Sequence, residues 1–290
     1  MRLQGRSALI TGANQGLGRA IAAHFVREGA SVMLMARGEH LLQQVAVELT
    51  PLAERISQRV IVKSGDVAKP DDCKAAVEQA LLELPNLCII VNNAGIYGPM
   101  GRLEEVDWRE WIHAMEVNLF GTALMCRAII PHLRAQHYGK IINLSGGGAT
   151  GPLPRISAYA TSKAAVVRLT ETLAHELCDD NVDVNAIAPG ALNTRLLDQV
   201  LAAGPDRVGE DFYQKSLRQH ADGGASLEKA SALATYLASS ESDGISGRLF
   251  SAVWDDWPRL SGHREALAKS DIYTLRRITP QDRGHQWQSG

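Results

Sequence analysis

The chain has 290 residues, 45% hydrophobic but only 5% aromatic, and its 30 Lys and Arg nearly balance 32 Asp and Glu. That length suits one large α/β domain and is short for two ordinary domains with a linker. The mixed charges form neither a basic stripe for nucleic acid nor a charged tail, and no apolar run could span a bilayer.

Short apolar runs alternate with amphipathic ones. Ser7–Ile10 reads as a strand leading into a glycine-rich turn, followed by a helix with Leu17, Ile21 and Phe25 on one face and a stop at Gly29. Ser31–Met35 predicts a buried strand, and Leu41, Leu42, Val45 and Leu49 a helix. Strands at Arg59–Lys63 and Leu87–Val91 flank a helix from Pro70 to Leu84. A long helix is expected over Trp108–His132, a strand over Lys140–Leu144, a helix over Tyr159–Cys178 and a strand over Val182–Ala188. A helix at Leu227–Ser239 and a strand at Leu249–Val253 complete the pattern. Such alternation predicts right-handed βαβ units in a Rossmann-type, doubly wound parallel sheet with helices on both faces. Residues 1–253 then form the nucleotide-binding and catalytic domain. Residues 254–290 form an extension packed on that domain or at an oligomer interface. Arg195–Gly224 is polar, rich in glycine and outside the rhythm. The N-terminus enters a strand at once, without a signal-peptide hydrophobic stretch, so a cytoplasmic protein is expected. Cys73, Cys88, Cys126 and Cys178 lie far apart, with no spacing for a metal site, and are expected to be ordinary thiols.

The turn Thr11-Gly12-Ala13-Asn14-Gln15-Gly16-Leu17-Gly18 lies between a strand and a helix, the context that turns a weak glycine pattern into a dinucleotide fingerprint. Gly12 permits the bend, Gly16 lets backbone approach a pyrophosphate, and Gly18 lets helix and strand pack closely. Asn14, Gln15 and Leu17 complete that cradle. The second strand ends at Met35-Ala36-Arg37, where an acid would bond a ribose 2′-hydroxyl. Ala36 carries no charge and Arg37 offers a fork for a 2′-phosphate, so NADP(H) is expected in preference to NAD(H). The alternative is a solvated surface arginine.

Further motifs fall in order: Asp66-Val67, Asn92-Asn93-Ala94-Gly95, Asn118, Tyr159-Ala160-Thr161-Ser162-Lys163, and Pro189-Gly190 with Thr194. With the glycine turn, they make the sequence resemble the short-chain dehydrogenase/reductase family in its compact single-domain form, from about Leu3 to Val253. The resemblance implies hydride transfer between a nicotinamide cofactor and a small carbonyl/alcohol substrate. It implies that Gly12, Gly16 and Gly18 line the pyrophosphate and that Asp66 and Val67 contact the adenine. Asn92, Ala94 and Gly95 would brace the central sheet, with Asn92 near the adenosine ribose. Pro189, Gly190 and Thr194 would border the nicotinamide. Asn118 would hold a water beside Lys163, Tyr159 would be the acid/base, and Lys163 its helper. The family usually forms homodimers or homotetramers through the two long helices.

The chemistry also follows from spacing. Tyr159 and Lys163 are four apart, on one helix face. A free phenol titrates near about 10, and a nearby ammonium favours its ionised form, making it a usable acid or base.

Two features depart from the pattern. The family's serine, thirteen residues before the tyrosine, is replaced by Gly146, with Ser145 beside it. Gly146-Gly147-Gly148 either shifts Ser145 into the site or opens a cavity where a water or Ser157 polarises the substrate. The tail begins Trp254-Asp255-Asp256-Trp257, and either packs on the surface or lets Trp254 or Trp257 cap the substrate pocket. The loss of the serine leaves a second reading, a dinucleotide-binding sensor or structural subunit without turnover.

Overall fold

A computed structural model describes residues 1–53 and 57–287. Seven parallel strands form one sheet in the order β3-β2-β1-β4-β5-β6-β7. They are β1 (Ser7–Thr11), β2 (Ser31–Ala36), β3 (Val60–Ser64), β4 (Leu87–Asn92), β5 (Gly139–Leu144), β6 (Val182–Ala188) and β7 (Arg248–Ser251). The period of two along each strand sends alternate side chains to opposite faces. Ala8, Ile10, Val32, Leu34, Ile89 and Val91 enter a core beneath α1 (Gly16–Arg27), α2 (Glu39–Leu49) and α9 (Leu227–Ala238). Leu9, Met33, Met35, Ile90 and Ile141 enter the other, beneath α3 (Pro70–Glu83), α5 (Gly121–Ala135) and α6 (Ser157–Glu176). Both faces are covered, which explains the nearly continuous apolar runs.

Three regions differ from the expected elements. The helix anticipated over Trp108–His132 is divided: α4 spans Trp108–Met115, Glu116–Phe120 is π-helical, and α5 follows. Such single π-helical turns occur inside otherwise regular helices and carry no residue signature of their own. Arg195–Gly224, outside the strand–helix rhythm, forms two helices, α7 (Arg195–Val208) and α8 (Glu210–Asp222), with Gly204 at φ +74° kinking the first. Leu197, Val200 and Val208 supply its buried face. The last strand is Arg248–Ser251, ending two residues before the expected boundary.

The tail binds across the open edge of the sheet. Leu249 donates its N–H to Tyr273 O (2.8 Å), and Tyr273 packs on Phe250 with ring centroids 5.1 Å apart. Trp257 lies against Tyr236 on α9 at 5.8 Å, while Glu171 on α6 accepts the N–H of Leu275 (2.6 Å). The tail therefore crosses from one helical layer to the other and covers a ladder that an edge strand otherwise exposes. Arg248 anchors it, donating to the carbonyls of Ser270 and Ile272 at 2.9 Å each and to that of Leu267. Arg248→Ala leaves the buried Leu267 carbonyl and two part-buried ones without this donor and should lower unfolding free energy by about 1–3 kcal/mol. An unchanged urea midpoint would show that the guanidinium does not hold the tail.

Candidate active site

The sheet order reverses between β1 and β4, and there the carboxyl ends of the strands part into a crevice of about 810 Å³. Its walls begin at the glycine turn. Gly12 lies at φ +63°, where a β-carbon would come within 2.9 Å of Ala94 Cα. At Gly18 one would collide with the carbonyl of Gly12 and the Asn93 amide, so α1 can lie this close to β1 only with glycine there. Thr11 fastens the two loops: its hydroxyl accepts the N–H groups of Asn93 (3.0 Å) and Ala94 (3.1 Å). The Asn93 amide donates to Thr11 O (3.0 Å) and Gly12 O (3.2 Å).

Of the residues named from sequence, Gly12, Asn14, Gln15, Gly16, Leu17, Arg37, Asp66, Val67, Ala94, Gly95, Ser145, Tyr159, Lys163, Pro189 and Thr194 line the crevice. Gly18 stands behind it in a packing role, and Gly190 is pressed against Val253 and Ala225. Asn92 is corrected: its amide donates to Asn143 Oδ1 (2.8 Å) inside the sheet, and Asn143 in turn donates to Thr170 Oγ1 (2.9 Å). The crevice receives Asn93 instead, because β4 ends at Asn92 and Asn93 begins the loop that is tied to Thr11 and Gly12 of the glycine turn. Asn118 lies in the π-helical turn, where its side chain accepts the Ile96 N–H and donates to Ile96 O, both at 2.8 Å, and to Ser162 Oγ (2.9 Å). Sequence reasoning missed Asn93, Ile96 and Leu41, together with Leu192, Asp198 and His220 from the α7–α8 region. Asn93 carried a signal in the Asn-Asn-Ala-Gly run; His220 depends on a helix hairpin with no local signature. Trp254 is 86% exposed and Trp257 packs on α9, so neither is a lining residue.

The reactive end is buried. Tyr159 and Lys163 both face inward from α6, with Lys163 Nζ 5.6 Å from the Tyr159 ring centroid and donating to Leu144 O (2.7 Å). Burial, and next the neighbouring phenol of Tyr97, push the Tyr159 phenol above its usual range. Burial also lowers Lys163 to about 8. The expected lowering of the phenol is not what burial gives: desolvation disfavours the charged form of each group, moving the phenol up and the ammonium down.

Around the phenol, the Ser145 hydroxyl is directed at Lys163 O (3.4 Å), and Ser157 Oγ accepts the Trp111 indole N–H (3.1 Å). Gly146 has no space for a side chain, since a β-carbon there would collide with the Tyr159 hydroxyl. The phenol occupies the volume a serine would fill. Gly146→Ser should therefore destabilise the protein by about 1–3 kcal/mol through overpacking. A denaturation midpoint equal to that of the unaltered protein would show that the tyrosine yields freely.

The cradle fits a dinucleotide. The crevice lies within the roughly 300–1,000 Å³ of small-molecule sites, and its glycine turn opens the α1 N-terminus. At Gly16 a β-carbon would meet only the Thr194 side chain, at 3.5 Å, so the backbone is open to a ligand.

Comparisons with known proteins agree with this geometry. Residues 6–203 match the family model described as short chain dehydrogenase. The chain is 33% identical over 251 residues to Dehydrogenase/reductase SDR family member 4 of Caenorhabditis elegans, covering 86% of this chain and 94% of that protein. It is 34% identical over 204 residues to 11-beta-hydroxysteroid dehydrogenase-like 3 of Arabidopsis thaliana, covering 70% of this chain and 63% of that protein. A solved gluconate 5-dehydrogenase from Burkholderia cenocepacia, in complex with NADP and tartrate, superposes with a TM-score of 0.75 at 27% identity, covering 86% of this chain and 94% of that one.

Proposed function

This chain belongs to the short-chain dehydrogenase/reductase family of nicotinamide-dependent oxidoreductases, and on that premise we propose that it interconverts a small-molecule carbonyl and alcohol, with Tyr159 exchanging the proton and NADP(H) preferred over NAD(H). The observation that carries the reading is the inward-facing Tyr159–Lys163 pair at one end of a crevice whose other end is the glycine cradle. The bound cofactor supplies or accepts the hydride.

The protein's own residues position and protonate. Gly12 and Gly16 admit the pyrophosphate to the backbone; Asp66 and Val67 border the adenine; Pro189 and Thr194 border the nicotinamide, with Gly190 shaping that loop. Tyr159 gives its proton to the carbonyl oxygen in reduction and removes one in oxidation. Lys163 favours the transient phenolate. Asn118 keeps Ile96 and Ser162 in place around the pair, and Ser145 steadies the turn carrying Lys163. We propose self-association, as a homodimer or homotetramer, through the α4–α5 and α6 helices, a reading that the exposed Trp108 and Phe120 support. Among the described residues no helix is long and apolar enough to cross a membrane.

Two measurements test this reading. Tyr159→Phe keeps the ring and removes the acid, so turnover of a carbonyl panel with NADPH should fall by roughly 10²-fold or more while NADPH still binds. A fully active variant would refute the proton role, and an unaltered protein that reduces no carbonyl would favour the sensor reading. Arg37 is exposed just after β2, beside the uncharged Ala36 and on the crevice wall, which supports its reading as the contact for a 2′-phosphate. Arg37→Ala should weaken NADPH by about 1.5–3 kcal/mol and leave NADH nearly unchanged. Equal losses, or tighter NADH binding by the unaltered protein, would reject the preference.

A further inference from the structure

Tyr97 is held against the reactive phenol from both sides. Asn118 clamps the preceding residue, Ile96, through its N–H and its carbonyl at 2.8 Å each. The following residue, Gly98, has φ +73° and runs so close to α4 and α6 that a β-carbon would lie 2.6 Å from that of Ala114 and 3.5 Å from that of Ala158. With both neighbours pinned, the Tyr97 ring packs edge-on to Tyr159, with centroids 4.6 Å apart and planes inclined at 64°.

The hydroxyls nearby are unequal. That of Ser145 is directed at Lys163 O, that of Ser157 receives the Trp111 indole, and Gly146 has no room for one. Among the described residues, Tyr97 has no hydrogen-bond partner for its hydroxyl, and that oxygen is not among the sealed, unsatisfied polar atoms, so it is not closed off; Tyr97 stands just behind the crevice wall, its ring packed on that of Tyr159, which lines it. Burial pushes the pKa of this phenol up too, so it is protonated and a donor at neutral pH.

We propose that Tyr97 is a second catalytic hydroxyl, donating a hydrogen bond to the substrate's reacting oxygen in the role left vacant by the serine that Gly146 replaces. The inference rests on the carbonyl/alcohol reading above. In reduction the carbonyl carbon accepts the hydride, and its oxygen accepts the proton of Tyr159 while bonded to Tyr97. Tyr97 keeps its own proton, so hydride and proton together account for the alcohol formed, and the cofactor leaves oxidised.

The test reads carbonyl polarisation directly. Cyclohexanone labelled with carbon-13 at the carbonyl is added with NADP⁺, which cannot reduce it, to the unaltered protein, Tyr97→Phe and Ser145→Ala. Isotope-edited infrared should show a lowered C=O stretch in the unaltered protein and in Ser145→Ala, reverting toward the apolar-solvent value in Tyr97→Phe. Equal stretches in the unaltered protein and Tyr97→Phe overturn the proposal, as does a shift lost only in Ser145→Ala. With NADPH and a carbonyl panel, Tyr97→Phe should lose roughly 10²-fold or more in kcat, the scale for one oxyanion donor, with NADPH affinity unchanged. Full kcat in Tyr97→Phe beside an inactive Tyr159→Phe overturns the Tyr97 role alone. If no carbonyl is reduced by any form, the functional reading fails, and the infrared comparison still decides whether Tyr97 polarises a bound ketone.

Discussion

Lys163 holds a buried ammonium for which the protein supplies no carboxylate among its described residues, only the carbonyl of Leu144 at 2.7 Å. The same molecule shows what a structural buried lysine looks like. Lys140 is sealed at the amino end of β5, whose other end carries Leu144, but Asp183 (2.6 Å) and Asp243 (2.7 Å) both pair with it. An unpaired buried charge costs several kcal/mol, and a fold retains one where its charge has a use. Here its neighbour is the Tyr159 phenol, itself held protonated by burial. Neither group is poised by the other in the free protein, and a ligand that adds charge or excludes water will act on both together.

Much of the surrounding architecture serves to bring backbone and side chains unusually close to that pair. Gly12 and Gly18 let the first helix meet β1 and the Asn93–Ala94 loop. Gly95 leaves room for both Asn118 and Lys163, since a β-carbon there would lie 3.2 Å from Asn118 Oδ1 and 3.4 Å from Lys163 Nζ. The π-helical turn aims Asn118 at Ile96 and Ser162 from the middle of a helical rod, a position regular α-helix would not provide in the same register. Gly146 completes the enclosure by giving up its side-chain volume to the tyrosine hydroxyl.

The strands could be read because each is a short, largely apolar run, continuous in β2 and β4, and the glycine turn and the Tyr159–Lys163 spacing because they are local. What sequence left hidden depends on tertiary placement. The α7–α8 hairpin is broken by Gly204, Pro205 and Gly209, which look like loop residues until Leu197, Val200 and Val208 are seen to bury. The choice between Asn92 and Asn93 turns on the residue at which β4 ends. The tail reveals its purpose only through Tyr273 and Leu275, which meet β7 and α6 far away in sequence. Tyr97 carries no motif of its own. The direction of the Tyr159 shift was also illegible, because spacing shows the ammonium but not the depth at which both groups lie.

That shift gives the most direct test of the central claim. Tyrosinate absorbance is followed against pH in the unaltered protein and in Tyr159→Phe, without nucleotide and with NADP⁺, and the difference isolates Tyr159. The account predicts ionisation above the ordinary phenol value of about 10 in the free protein, moving to lower pH once the positively charged nicotinamide is bound. Ionisation at the ordinary value in both states would contradict it.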